Sequence, residues 1–162
     1  MRYNENVDRT KGVIIMTVAT DERLNALADF LEVDVNELEE SNYYDNGYAY
    51  GNQEYLVLTD EEADEKAREE IEQTLWAFNT DFILRHCSTY GEMDCYEFEQ
   101  AEKALRKAQA ECCESLNGLV KALIEDMEDF VEDAIMSDGR GHFISYYDGY
   151  ENEQGDYYIY RV

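Results

Sequence analysis

Apolar residues recur along this chain with two periods, and each period predicts a kind of element. The run Val13-Ile14-Ile15-Met16-Thr17-Val18 is β-branched and apolar, which predicts a strand. Thr20-Asp21-Glu22 behind it offers an N-cap and first-turn acids, so a helix should follow through Leu24, Leu27, Ala28 and Leu31. Asp34 with Glu37 three residues on has the form of a capping box and predicts a second short helix through Glu40. Residues 41–53 mix turn formers with four tyrosines and read as a loop or an irregular hairpin arm, and Glu54–Leu58 reads as a short strand.

From Thr59 onward the period changes to that of helices. Thr59-x-x-Glu62 is a second capping box, and Ala63, Ala67, Ile71, Leu75 and Phe78 follow at three- and four-residue steps, with Phe82-Ile83-Leu84 extending or restarting the helix. A third long helix is predicted through Phe98, Ala101, Leu105, Ala108 and Cys112. A fourth runs through Leu116, Val120, Leu123, Met127, Phe130 and Ala134. Ser137-Asp138-Gly139-Arg140-Gly141 stops it, and the aromatic runs His142–Tyr147 and Tyr157–Val162 read as a closing hairpin. The whole is a single α+β domain over residues 1–162. A small, mainly antiparallel sheet of N-terminal strand, central strand and C-terminal hairpin packs with three or four amphipathic helices.

Charge changes this picture most. The chain carries 39 Asp and Glu against 13 Lys and Arg, a net charge of −26 in 162 residues. Disorder is the ordinary explanation of such an imbalance, but 44% hydrophobic and 13% aromatic content argues for a packed core. A halophilic source is another explanation that the aromatic-rich composition does not specially favour. Carboxylates at this density repel one another, and they prevent the protein from holding nucleic acid unaided. The helices near Leu24–Glu40 faintly suggest a helix-turn-helix, yet Asp29–Asp45 contains seven acids and no base where phosphate contacts would be needed.

The acids are placed on helix faces. Asp60, Glu61, Asp64, Glu65, Glu69 and Glu72 belong to a segment of eight acids and two bases, a net of −6 over Asp60–Glu72. At ~1.5 Å rise per residue the charge spacing is close to the ~3.4 Å phosphate repeat along one DNA strand. Glu125, Asp126, Glu128, Asp129, Glu132 and Asp133 repeat the pattern opposite the apolar stripe of the fourth helix. Two such rows could imitate the two phosphate rows of a duplex, although a solvated helix face is the ordinary meaning of such a pattern. Eleven of the fourteen tyrosines lie in 43–55 or 146–160, and Tyr44, Tyr48, Tyr147 and Tyr150 are candidate partner contacts, with cross-strand packing as the alternative.

Other chemistry is weakly signalled. His86, Cys87, Cys95, Cys112, Cys113 and His142 include no CxxC or paired-ligand spacing, so no metal site or cofactor is expected, and buried reduced thiols are the simpler reading of the cysteines. The nucleotide-binding GxxxxGK[ST], GxSxG and HExxH patterns are all absent. Asp138–His142 gathers an acid, a base and an imidazole on one turn, the one place suited to a small active site. A helix stop leading into a strand is the simpler explanation. The amino terminus lacks the apolar region of a secretory signal and no stretch approaches ~18 apolar residues, which predicts a cytoplasmic protein without membrane contact.

The stretches LTDEEADEKAREEIEQTLWAFN and SDGRGHFISYYDGYENEQGDYYIYRV, under a third of the chain together, resemble small acidic proteins carried by bacteriophages and their hosts. In charge, size and lack of catalytic motifs the whole is similar to phage and plasmid anti-defence proteins that mimic DNA, among them antirestriction and some anti-CRISPR proteins. Those families differ in fold, so the resemblance implies a strategy and assigns no residues. The expectation is a non-enzymatic inhibitor that occupies the basic DNA-binding or DNA-cleaving surface of a host protein, with a homodimer as a way to lengthen the acidic track. The alternatives are an acidic adaptor that binds a basic segment without displacing DNA, and a small enzyme using Asp138–His142.

Overall fold

A computed structural model describes residues 22–162; the strand expected at 13–18 and the cap at Thr20-Asp21 lie outside them. The chain divides into two compact units, one holding the described residues up to Ala63 together with Ser145–Val162, the other Asp64–Ile144.

The first unit is built on a five-stranded antiparallel sheet. A helix over residues 22–31 (α1) is followed by β1 (Glu39–Glu40), β2 (Gly47–Tyr50) and β3 (Gln53–Leu58), and after residue 144 by β4 (Asn152–Gln154) and β5 (Tyr157–Arg161). The order across the sheet is β1-β2-β3-β5-β4. Thus β3, the most apolar strand, lies centrally, paired through Leu56↔Gly47 on one side and Leu56↔Tyr160 on the other. Leu27 and Ala28 of α1 pack with Leu38, Tyr48, Tyr55, Val57 and Ile159 in one apolar cluster, which is what the helical stripe was expected to bury. The tyrosine-rich arm is a true hairpin arm, turning at Gly51-Asn52, with Gly51 at φ +63° in the first central position of a two-residue turn. Gly47 is constrained by space instead, because a Cβ there would lie 2.7 Å from the Cβ of Tyr44.

Two expectations for this unit change. The Asp34 capping box forms, but it caps one 3-10 turn, Val35–Glu37, and Glu39–Glu40 pair with Ala49 and Tyr48 as a strand. Sheet pairing takes the backbone groups that a longer helix would have used. Residues 142–147 are not a hairpin arm. Arg140–Ile144 form a short helix, and the arm opposite β5 is β4, which pairs Asn152 with Ile159.

The second unit is helical. The helix α2 (Asp60–Gln73) begins at the predicted box, where the Thr59 amide donates to Glu62 at 2.8 Å and the Glu62 amide to the Thr59 hydroxyl at 3.3 Å. It stops at Gln73, and a 3-10 turn at Leu75–Ala77 leads to α3 (Thr80–Arg85). Asn117 makes this break possible by donating to the Glu72 carbonyl at 2.7 Å and accepting from the Trp76 amide at 3.1 Å, while Gln109 donates to the Trp76 and Phe78 carbonyls. These bonds satisfy backbone groups that an ending helix exposes. Next come α4 (Cys95–Cys112), α5 (Asn117–Leu123), α6 (Met127–Asp138) and α7 (Arg140–Ile144).

The predicted fourth helix is therefore two. Ile124 takes an extended conformation and bridges to Cys87, Glu125 donates its amide to the His86 carbonyl at 2.9 Å, and Asp126 caps α6 by accepting from the Glu128 and Asp129 amides. Ile71, Leu75, Ile83, Leu105, Val120 and Phe130 share one core in this unit, with Phe143 of α7 packed against it and stacked on Phe78. That packing is why residues 142–144 coil instead of extending.

In the first unit the guanidinium of Arg23, 11% exposed, holds Glu62 through two bonds of 2.8 and 2.9 Å and donates to the Val57 carbonyl at 2.6 Å. The bonds from Arg23 hold the Glu62 carboxyl below the ordinary glutamate range. The stabilisation this gives is complete above the unfolded-state glutamate pKa and is lost as pH falls through the lowered folded value. Glu62→Gln should therefore cost about 0.5–1.5 kcal/mol in urea unfolding at neutral pH, since the Glu62 carboxylate is partly open to solvent and its ion pair is screened. Its deficit against the wild type should narrow in acid; a deficit that is constant with pH would refute this role.

Candidate functional site

The acidic rows resolve differently in space than along the chain. Asp60, Glu61, Asp64, Glu65 and Glu69 are exposed on α2, while Glu72 is half-buried and engaged with Lys121. On α6, Glu128, Asp129, Glu132 and Asp133 are exposed helix positions. Glu125 and Asp126 are exposed too, but they precede the helix: Glu125 sits on the extended link and the Asp126 carboxylate is spent as a cap. The second row is thus shorter than Glu125–Asp133 by two residues, because the main chain turns at Ile124 to meet Cys87.

Within the helical unit the part of α2 from Asp64 onward and α6 adjoin. Arg68 bonds directly to Glu128, and a groove of about 410 Å³ between the helices is lined by Asp64, Arg68, Glu128, Val131, Glu132, Ile135 and Met136. Some bases lie at joints between segments and others pair along one helix. Arg140, its side chain 11% exposed, meets Asp64 at 2.8 Å, Lys121 meets Glu72, and Lys66 meets Glu70 at 2.8 Å on α2 itself. Glu61, Glu65, Glu125 and Glu132 take part in no ion pair among the described residues. The net field of the surface is carried by acids of this kind.

The tyrosines separate into two groups. Tyr48 is 3% exposed and pairs across the sheet with the buried Tyr55, so it belongs to the core and offers no contact area. Tyr44 is half-buried. Tyr147 and Tyr150 are exposed, with the Arg161 guanidinium 3.5 Å over one face of the Tyr147 ring. Tyr43 and Tyr146, which the sequence did not single out, are also exposed, as is Met136 at 81% on the rim of the groove. Nothing in the helical pattern marked Met136.

Cysteine is less buried than expected. Cys87 is buried, and burial pushes its thiol pKa up, but Cys95, Cys112 and Cys113 are exposed free thiols. Among the described residues one group of His, Cys, Asp or Glu side chains lies close enough to share an ion, and it contains no cysteine: His86, Asp129 and Asp133. In the Asp138–His142 turn, Gly139 at φ +79° ends α6, Arg140 is committed to Asp64, and His142 is exposed beside Phe143. Among the described residues no helix is long and apolar enough to cross a membrane. No family model matches the chain, and no match is found among curated proteins or solved structures.

Because acids outnumber bases 39 to 13 in this chain, salt should stabilise it. Its melting temperature should rise from low to moderate NaCl as self-repulsion is screened. Arg68→Glu, which sets a third carboxylate beside Glu128 and Asp64, should lower stability by roughly 1 kcal/mol at low salt and by less at high salt. Equal losses at both would show that the joint works by packing alone.

Proposed function

We propose that this chain is a non-enzymatic inhibitor that presents carboxylates in place of DNA phosphates and occupies the basic nucleic-acid-binding surface of a host protein, such as a restriction or CRISPR nuclease. The observation that carries the reading is the adjoining of two carboxylate rows on folded helices, from Asp64 through Glu69 on α2 and from Glu128 through Asp133 on α6, bridged by Arg68. A rigid array keeps its charge spacing on binding, whereas a disordered acidic tail must be ordered first. Long-range attraction from a net charge of −26 speeds encounter with a basic cleft, and exposed Tyr43, Tyr147 and Tyr150 supply contact area of a kind that charge alone lacks. A cytoplasmic, phage-encoded protein fits this role.

The groove favours a second reading. Its apolar members Val131, Ile135 and Met136, rimmed by Asp64 and Glu132, suit a basic amphipathic segment of a partner, and an acidic adaptor would bind such a segment while leaving DNA in place.

The test uses the chain immobilised in a bacterial lysate and eluted with a salt gradient. A captured basic protein should elute as salt rises, and the soluble chain should displace that protein from DNA in a gel-shift competition. Glu61→Lys, Glu65→Lys, Glu125→Lys and Glu132→Lys together break no ion pair described above and should weaken capture at least about tenfold, as each lost complementary charge becomes a repulsive one. Capture that ignores salt or survives these reversals would end the mimicry reading. Capture that leaves DNA bound would select the adaptor.

A further inference from the structure

The helical unit contains a grouping that shares Asp129 and Asp133 with the second acidic row and adds His86, which the proposed function does not use. His86 closes α3, and its ring is held on three sides: Phe82 packs 4.8 Å away, Phe130 lies edge-on at 5.0 Å, and Nδ1 lies 2.9 Å from the Phe82 carbonyl. A carbonyl only accepts, so Nδ1 carries a proton and donates it there. The other ring nitrogen, Nε2, then points at Oδ2 of Asp133 at 3.2 Å and Oδ2 of Asp129 at 4.0 Å. The His86 side chain is only 8% exposed, whereas both carboxylates reach solvent.

A neutral imidazole in this tautomer turns a lone pair toward two carboxylates that also repel each other one helical turn apart. A cation shared by the three groups would turn this repulsion into attraction, and the geometry fits a metal site in three respects. All three ligand atoms lie within 4.8 Å of one another. The donation from Nδ1 to a backbone carbonyl is the outer bond that orients metal-ligating histidines. The 3.2 Å separation matches two ligands about 2.1 Å from a shared ion at roughly 100°, near the tetrahedral angle. Asp129 is exposed and needs only a side-chain rotation to close its longer distance. Its place four residues before Asp133 puts it on the same face of α6.

We propose that His86, Asp129 and Asp133 bind one divalent first-row cation of the zinc class, with the His86 ring as the fixed ligand and two exposed carboxylates closing on it. One imidazole and two carboxylates suit Zn²⁺ better than Ca²⁺ or Mg²⁺, which take all-oxygen shells. Positions not taken by the protein face solvent and would hold water. The cation joins the end of α3 to α6, the same two segments that the Glu125 amide already ties through the His86 carbonyl. The inference is independent of any partner, and its test reads the isolated chain.

Zinc alone is titrated into the reduced full chain while the imidazole nitrogens are followed by NMR. With two histidines in the chain, His86 is identified through His142→Gln. One equivalent of Zn²⁺ should shift His86 Nε2 to the metal-bound position and leave His142 unmoved. Asp133→Asn and Asp129→Asn should each weaken zinc binding by about tenfold or more; both side chains are exposed, so the fold should persist and is checked on the amide spectrum. Glu153→Gln, on exposed β4, controls for the general acidity of the surface and should bind as the wild type does. Three results would each overturn the site: zinc bound elsewhere with His86 unmoved, unchanged affinity in both aspartate variants, or an Nε2 proton that millimolar zinc fails to displace.

Discussion

Self-repulsion among 39 carboxylates is the constraint to which the rest of this structure answers. With only 13 basic side chains, neutralising the surface pair by pair is out of reach; Lys66, Arg85, Lys103, Arg106 and Lys107 pair with acids on their own helix, and Arg23, Arg68, Lys121 and Arg140 pair where segments meet. Arg23 brings α1 to the start of α2 through Glu62, Arg68 brings α2 to α6 through Glu128, and Arg140 and Lys121 return to α2 at Asp64 and Glu72. A cation at a joint offsets repulsion where packing would otherwise bring two acidic faces together. On the outer faces of α2 and α6, Glu61, Glu65 and Glu132 take part in no ion pair among the described residues. This distribution leaves the surface field strong and the core joints stable, which is the combination that the proposed occupancy of a basic cleft requires.

Polar side chains, in turn, decide where the helices break. Asn117 and Gln109 satisfy the backbone groups released where α2 ends, and Asp126 caps the start of α6 after Ile124 has been drawn into a bridge with Cys87. The break at Ile124 has a consequence for chemistry. It places α6 so that Asp129 and Asp133 face His86, a histidine whose ring orientation is already determined by Phe82 and Phe130. One departure from helical regularity thus shortens the second acidic row and creates the proposed cation site.

What the sequence determined by itself was local. The capping boxes at Thr59 and Asp34, the Arg-poor acidic stretch on α2, the apolar stripe of α4, the short strand at 54–58 and the strand at 157–161 could all be read from residue type and spacing. Each is signalled by residues close together in sequence, although the two strands are completed only by pairing with each other. The α+β class followed from the alternation of these segments.

Tertiary structure decided what periodicity leaves degenerate. An apolar stripe continues across Gln73 and across Ile124 whether or not the helix does, because the partners that end it, Asn117 and Cys87, lie 41 or more and 37 residues away in sequence. Residues 142–144 have aromatic and β-branched character, yet they coil because Phe143 finds a ring to stack on in Phe78. The same holds for the site. Acidity was legible as a quantity and as a helical face, but only packing selected which acids meet Arg68, which tyrosine is withdrawn into the sheet, and which two carboxylates stand before His86. Those are contacts between residues far apart in the chain, and no local pattern encodes them.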